Sequence, residues 1–263
     1  MTIPYYEVHA FTDRLFAGNP AGVCLLSEPL PEHLMQAIAR ENNLPATAFL
    51  FDRGESFDLQ WFSPTTQLEL CGHATLASGH VIFECVGRRD QTLTLHTCAG
   101  ELKVGRADGR LVLDFPCRTV ARCEPPPLLI DSLGAKPQEV LKGDDYLAVF
   151  ERTEEIVALR PNLDGLAQLP VRGIIVTARG EDCDFVSRFF APQRGIAEDS
   201  VTGSAHCTLV PYWAARLGRK QLHARQLSQR GGELFCEDRG DRVSIGGTAV
   251  TYIEGTLRLS DSW

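Results

Sequence analysis

No apolar run in this chain approaches the roughly 18–20 residues that a membrane-spanning helix needs. The longest candidates, such as Ala48-Phe49-Leu50-Phe51, are the size of a strand. Positive charge is not in surplus either. Lys and Arg number 26 against 34 Asp and Glu, a formal net charge of −8. That balance argues against general nucleic-acid binding, which needs a basic footprint. Cys-x-x-Cys does not occur, so the tight spacing of zinc knuckles and thioredoxin-like sites is missing. Gly-x-Gly-x-x-Gly after a strand and Gly-x-x-x-x-Gly-Lys-Ser/Thr are also absent, and with them the nucleotide fingerprints. Ser204 lies in Thr-Gly-Ser-Ala, not in a Gly-x-Ser-x-Gly elbow. The opening Met1-Thr2-Ile3-Pro4-Tyr5 lacks the basic and apolar regions of a signal peptide.

What is present is an ordinary globular composition, 44% hydrophobic and 23% charged over 263 residues. Apolar content is ample and net charge modest, which excludes disorder for most of the chain. The length fits one large domain or two smaller ones. There are nine cysteines, an odd number that cannot all pair within one chain. The expectation is reduced thiols in a cytoplasmic protein. Each cysteine except Cys71 reads as a small buried hydrophobe.

The chain repeats itself. Leu44-Pro45 and Leu169-Pro170 each precede a short β-type run. Residues 57–62 followed by Ser63-Pro64 correspond to residues 185–190 followed by Ala191-Pro192, both strands stopped by a proline that cannot donate to a ladder. Cys71-Gly72-His73-Ala74-Thr75 and Thr202-Gly203-Ser204-Ala205-His206 each open an apolar segment, ending at Gly87 and Gly218, 15 residues from glycine to glycine in both. Each reads as a buried helix stopped by a left-handed glycine with basic neighbours. Pro211 should kink the second. Gly100-Glu101-Leu102 matches Gly232-Glu233-Leu234, and Asp108-Gly109 matches Arg239-Gly240, each a hairpin turn before a strand. Upstream, residues 5–26 and 146–159 each read as a hairpin, followed by helices near 31–41 and 162–168. The fold class expected is α+β, two pseudo-symmetric domains that each wrap a sheet around one buried helix. Residues 1–116 form the first domain, with 249–263 a candidate strand returning to it. Residues 117–127, carrying Pro125-Pro126-Pro127, form a stiff linker, and 128–248 form the second domain.

Such a duplication is expected to present two helix N-termini, at Gly72-His73 and Gly203-Ser204, to one cleft. Each has unpaired backbone N–H groups and partial positive charge. A glycine at the entrance lets a ligand approach the backbone. Helix ends of this kind hold carboxylate or phosphate, so the ligand expected is a small anionic metabolite. Cys71 and His73 stand at one entrance, and Glu198, Asp199, Thr202 and Ser204 at the other. A thiol or carboxylate beside a helix N-terminus can move protons. The plainer alternatives are a solvated or capping acid for Asp199, a backbone-bonded residue of the first turn for His73 and a buried small residue for Cys71. Cys71-x-His73 and His206-Cys207 lack further ligands at motif spacing, so no metal is expected. His80 and His206 fall inside helices and read as packed or capped, whereas His9, His33, His96 and His223 are uninformative singly.

These residues resemble the PhzF-like (phenazine biosynthesis) isomerase family. The resemblance rests on Tyr6–Phe11, Gly18-Asn19-Pro20-Ala21-Gly22-Val23, Thr47-Ala48-Phe49-Leu50, Phe62-Ser63-Pro64, Cys71-Gly72-His73-Ala74-Thr75 and Glu198-Asp199-Ser200-Val201-Thr202-Gly203-Ser204. It covers essentially the whole chain. It implies the diaminopimelate-epimerase-like fold, each domain a barrel-like β-sheet around a central helix. It also implies cofactor-free proton transfer on a small carboxylate, with no nucleic acid or membrane partner, and often a homodimer. Carried over by position, His73, Asp199 and Ser204 resemble the substrate-binding and proton-handling residues. Gly72 and Gly203 would hold the carboxylate, with Asn19 a weaker candidate. Cys71 falls where related epimerases carry one of two catalytic cysteines. The partner position is Thr202, so a two-thiol mechanism looks broken.

The main departure is Ala46. It stands where the family carries a glutamate acid/base, and a methyl group cannot accept a proton. Three explanations remain open: a Glu→Ala replacement made to trap substrate, a natural member whose base is Cys71 or Asp199, or a non-catalytic binding protein on the same fold. Glu41 is close in sequence but is expected to end the preceding helix. His9 is a smaller departure, since family members often have Asp there.

Overall fold

The computed structural model describes residues 1–260. The expected segment 249–263 therefore runs three residues past the described part. The chain divides into two compact units, Met1–Asp114 with Gly246–Trp263, and Phe115–Ile245. Residues 117–127 fall inside the second unit, where the short strand Ala121–Arg122 pairs with Leu141 and Lys142. Among the described residues, no helix is long and apolar enough to cross a membrane.

The first unit runs β1 (Thr2–Ala10), β2 (Asn19–Leu26), α1 (Glu32–Asn42), β3 (Thr47–Asp52), β4 (Phe57–Phe62), β5 (Gln67–Leu68), α2 (Gly72–His80), β6 (Thr92–Thr97), β7 (Gly100–Ala107) and β8 (Arg110–Pro116). β2 lies antiparallel to β1 and parallel to β3, with Gly22 beside Thr47. β3 pairs antiparallel with β4, and β4 parallel with β6, Phe57 beside Leu95. The second unit contains β9 (Ala121–Arg122), α3 (Pro127–Leu133), β10 (Glu139–Lys142), β11 (Tyr146–Val149), α4 (Thr153–Ala158), α5 (Leu163–Leu166), β12 (Ile174–Arg179), β13 (Phe185–Ala191), β14 (Ile196–Asp199), α6 (Gly203–Leu217), β15 (Gln221–Gln226), β16 (Gly232–Asp238) and β17 (Arg242–Gly247). Its pairing scheme is the same: β10 antiparallel to β11, β11 parallel to β12, β12 antiparallel to β13, β13 parallel to β15. The repeat in the sequence is thus a repeat of hydrogen-bond topology. The last strand, β18 (Ala249–Arg258), pairs antiparallel with β1.

The two central helices are buried as their composition demands. In α2, every residue from His73 to Gly79 is buried. In α6, Ala205 to Val210 are all buried, and Trp213 stacks on Phe185 with centroids 5.8 Å apart. A helix buried all round has no room for a charged face. Gly79 shows how close the sheet comes, since a Cβ placed on it would meet Val104 Cγ1 at 2.6 Å. The stopping glycines Gly87 and Gly218 have φ of 80° and 66°, in the left-handed region as expected. α2 does not stay α-helical to its stop, because Val81–Cys85 form a π-helical turn. Pro211 is accommodated inside α6, which runs unbroken to Leu217.

One expectation is corrected. The hairpin read at residues 146–159 lies earlier, between β10 and β11, and residues 153–158 form α4. Glu155 decides the matter, because its Oε2 accepts the N–H groups of Glu151 and Arg152 at 3.2 and 2.9 Å and starts a helix there. The helix read near 162–168 is the shorter α5, opened by Asn162, whose side chain accepts the Gly165 N–H.

Candidate active site

The two buried helices begin in the same way. Cys71 precedes α2 with φ −142° and ψ 98°, and Thr202 precedes α6 with φ −113° and ψ 95°. Neither side chain caps its helix, although residues at that position commonly do. Instead, the residue four places on bonds back to the capping carbonyl. Thr75 Oγ1 donates to the Cys71 carbonyl at 2.6 Å, and His206 Nδ1 meets the Thr202 carbonyl at 2.8 Å. A carbonyl only accepts, so Nδ1 of His206 carries the proton. Complete burial lowers the His206 pKa to about 4 and keeps the ring neutral. In both entrances the Thr202 or Cys71 side chain is directed to other work.

At the first entrance that work is the contact with His73. Cys71 Sγ lies 3.5 Å from His73 Nδ1, and both residues are buried. A thiol and an imidazole at this separation can share a proton. Asn19 begins β2 and Ala46 immediately precedes β3, both with no exposed surface. The Ala46 carbonyl accepts the Gly22 N–H at 3.0 Å, so the backbone there completes the β2–β3 pairing. Gly173 does the same in the second unit, accepting the Tyr146 N–H at 3.1 Å. Ala46 therefore has a counterpart in the repeat, and neither offers a titratable side chain.

At the second entrance Thr202 Oγ1 donates to Asp199 Oδ2 at 2.6 Å. Ser204 Oγ accepts from Arg172 Nη1 at 2.7 Å. Arg172 is itself held by Asp145, with Nε on Oδ1 at 2.9 Å and Nη2 on Oδ2, and its guanidinium lies over the Phe189 ring. Glu198 is engaged elsewhere. It forms a two-pronged pair with Arg188 at 2.7 and 2.9 Å, and Arg188 also donates to the carbonyls of Ile156 and Leu159. Gly203 is buried as the first residue of α6. The structure thus joins Cys71 to His73 and Asp199 to Thr202. It adds Arg172, Asp145 and Gln226, whose side chain bonds the Thr202 N–H and the Asp199 carbonyl, and sequence reasoning missed all three. Arg172 follows the repeated Leu-Pro of the second half, and that was the one signal available for it.

His9, noted as a departure, is buried in the first unit. Its Nδ1 accepts the Phe16 N–H at 3.1 Å, its Nε2 lies 3.7 Å from Glu7 and its ring stacks on Tyr252.

Two units with one strand topology, each wound about a buried helix, define the epimerase-like fold class. A hydroxyproline epimerase from Agrobacterium vitis shares that fold with a TM-score of 0.63 at 14% identity, covering 99% of this chain and 94% of that one. The chain belongs to the phenazine biosynthesis-like (PhzC-PhzF) family, whose model matches residues 8–255. It is 49% identical to an uncharacterized isomerase of Pseudomonas aeruginosa, over 99% of this chain and all of that one. The crystal structure of a PhzF-family protein from Enterococcus faecalis matches with a TM-score of 0.96 at 43% identity, covering 98% of this chain and all of that chain.

Proposed function

We propose that this protein is a cofactor-independent isomerase or epimerase that moves a proton on a small carboxylate-bearing metabolite, working in the cytoplasm as a homodimer. The observation that carries the reading is the matched pair of helix entrances, each with a titratable side chain held by a hydrogen bond in the first turn or just before it. First-turn amides at Gly72 and His73, and at Gly203 and Ser204, suit the substrate carboxylate. One C–H bond is broken as a base takes the proton, and a second forms when a proton returns to the carbon skeleton. The His73–Cys71 pair and Asp199 are the groups we assign to proton transfer, with Asn19 a weaker candidate for substrate binding.

Ala46 sets the form of the test. The chain as given and Ala46→Glu are each incubated in deuterated water with a panel of cyclic and amino carboxylates, and C–H exchange is followed by NMR. Exchange by Ala46→Glu alone assigns the acid/base to position 46. Exchange by the given chain that Cys71→Ser or Asp199→Asn abolishes assigns it to the entrances. A second reading, a catalytically silent carboxylate-binding or accessory protein, is favoured by the buried methyl of Ala46. Binding without exchange in either background would establish it and sink the isomerase reading.

A further inference from the structure

Gln226 ends β15 and is 1% exposed. Strand pairing explains its place. β15 runs parallel to β13 with Gln226 beside Ser187, and the Leu227 N–H donates to the Ser187 carbonyl at 2.7 Å. β13 also pairs with β14, where Phe189 faces Asp199. The carboxamide therefore reaches the turn before α6 from a strand held on its neighbour, a more precise support than a loop.

All its polar positions are used there. Oε1 accepts the Thr202 N–H at 2.8 Å. Nε2 donates to the Asp199 carbonyl at 2.8 Å and to Thr202 Oγ1 at 3.2 Å. A flipped amide would set its NH2 against the Thr202 N–H, two donors face to face, so the network determines the orientation. Ser228 adds a second stitch. Its Oγ donates to the Ser200 carbonyl at 2.7 Å and accepts the Gly231 N–H at 3.1 Å.

The proton directions follow. Nε2 only donates, so Thr202 Oγ1 accepts from it. The hydroxyl's own proton is left for Asp199 Oδ2, 2.6 Å away. A carboxylate oxygen that accepts such a bond is held in a fixed direction.

We propose that Gln226 is a positioning residue for Asp199: it braces the 199–202 turn and makes the Thr202 hydroxyl a permanent donor to the carboxylate, so that Asp199 meets the substrate as an aimed base. This rests on the reading above in which Asp199 handles the substrate proton. It also gives Thr202 a task. A thiol at that position would be a weak donor, whereas the hydroxyl orients the neighbouring acid.

Two variants separate aiming from packing. Gln226→Leu removes all three bonds. Gln226→Glu keeps an acceptor for the Thr202 N–H but replaces the donor, so the Thr202 hydroxyl turns to the new carboxylate and leaves Asp199. Amide hydrogen exchange of Thr202 is read by NMR. In whichever background exchanges deuterium, the given chain or Ala46→Glu, kcat and KM are measured for the acid that is turned over. The Thr202 amide is expected to exchange at least about 10-fold faster in Gln226→Leu and to remain protected in Gln226→Glu. In both, kcat should fall about 10- to 100-fold, as for a misplaced catalytic group, with KM changed less than about threefold. A protected amide together with lost turnover is a result that packing alone does not produce. Unchanged kcat in Gln226→Glu, or an equally protected Thr202 amide in Gln226→Leu, overturns the proposal. Should Gln226→Leu fail to fold, Gln226→Glu carries the test. If neither background exchanges deuterium with any acid, the isomerase reading fails by itself, and the Thr202 amide still decides whether the brace exists.

Discussion

His206 pairs its only proton with the Thr202 carbonyl and sits fully buried, with its pKa lowered from 6.5 to about 4. Between those values the unfolded chain binds a proton that the folded protein refuses. Stability therefore falls as the pH drops from about 6.5 toward 4, and is flat in this residue above that window. The loss should reach about 2 kcal/mol by pH 5. Urea unfolding at pH 7 and pH 5 checks it: His206→Gln should show a drop smaller by about that amount. Asp145 makes a different prediction. It is 2% exposed and holds Arg172, the residue that donates to Ser204. Asp145→Ala leaves that guanidinium without its counter-ion and should cost about 3 kcal/mol, less than for a fully buried pair because Arg172 keeps some solvent. Denaturant midpoints measure this, and equal stability would show that Arg172 finds another partner. At this scale sequence and structure diverge most. Cys71, His73, Asp199 and Ser204 were legible because each stands within a few residues of a helix-opening glycine. Gln226 and Arg172 were not. They reach the same entrance through strand pairing and an ion pair, and beyond the Leu-Pro that precedes Arg172 neither leaves a trace in local spacing.

The elements carry their own tests. Gly79 faces Val104, and the 2.6 Å separation that a Cβ would have from Cγ1 leaves no space for a methyl group. Gly79→Ala should destabilise by about 1–3 kcal/mol through overpacking, despite alanine's better helix propensity. Val104→Ala in the same chain should recover part of that loss, which a thermal melt of the single and double variants will read. Helices α2 and α6 were visible in the sequence as apolar runs between glycines that lack a charged face, and strands β4 and β13 as runs stopped by Ser63-Pro64 and Ala191-Pro192. The π-helical turn at Val81–Cys85 was invisible, since an i+5 turn has the same apolar composition as an i+4 turn. The hairpin of the second half was misplaced because residues 153–158 are short and mixed in character. There, one carboxylate on two backbone N–H groups outweighs the β propensity of Ile156 and Val157.

Across the molecule, the repeat shows most clearly in strand registers rather than in residue identities. Gly22 beside Thr47 and Tyr146 beside Ile174 occupy one role, yet share no chemistry. That is why the duplication was readable from landmarks of glycine and proline while the residues between them had diverged. β18 links the ends of the first unit, since Thr2 pairs with Arg258 and the Met1 amine donates to the Leu259 carbonyl at 3.1 Å. Ending the chain after Gly247 would strip β1 of one neighbour. It should lower the stability of the first unit by several kcal/mol while the second keeps its core, so the first unit should melt at a lower temperature than in the full chain while the second does not.

The same strand has a consequence for the order of events on the ribosome. Synthesis runs from the N-terminus, and domains ordinarily settle in that order. Here the second unit is one continuous stretch, Phe115–Ile245, while the first lacks a strand until the residues beyond that stretch emerge. The half begun first is thus the half completed last. While the second unit is being made, β1 waits with an open edge that invites strangers, which is where a nascent-chain chaperone would find its work.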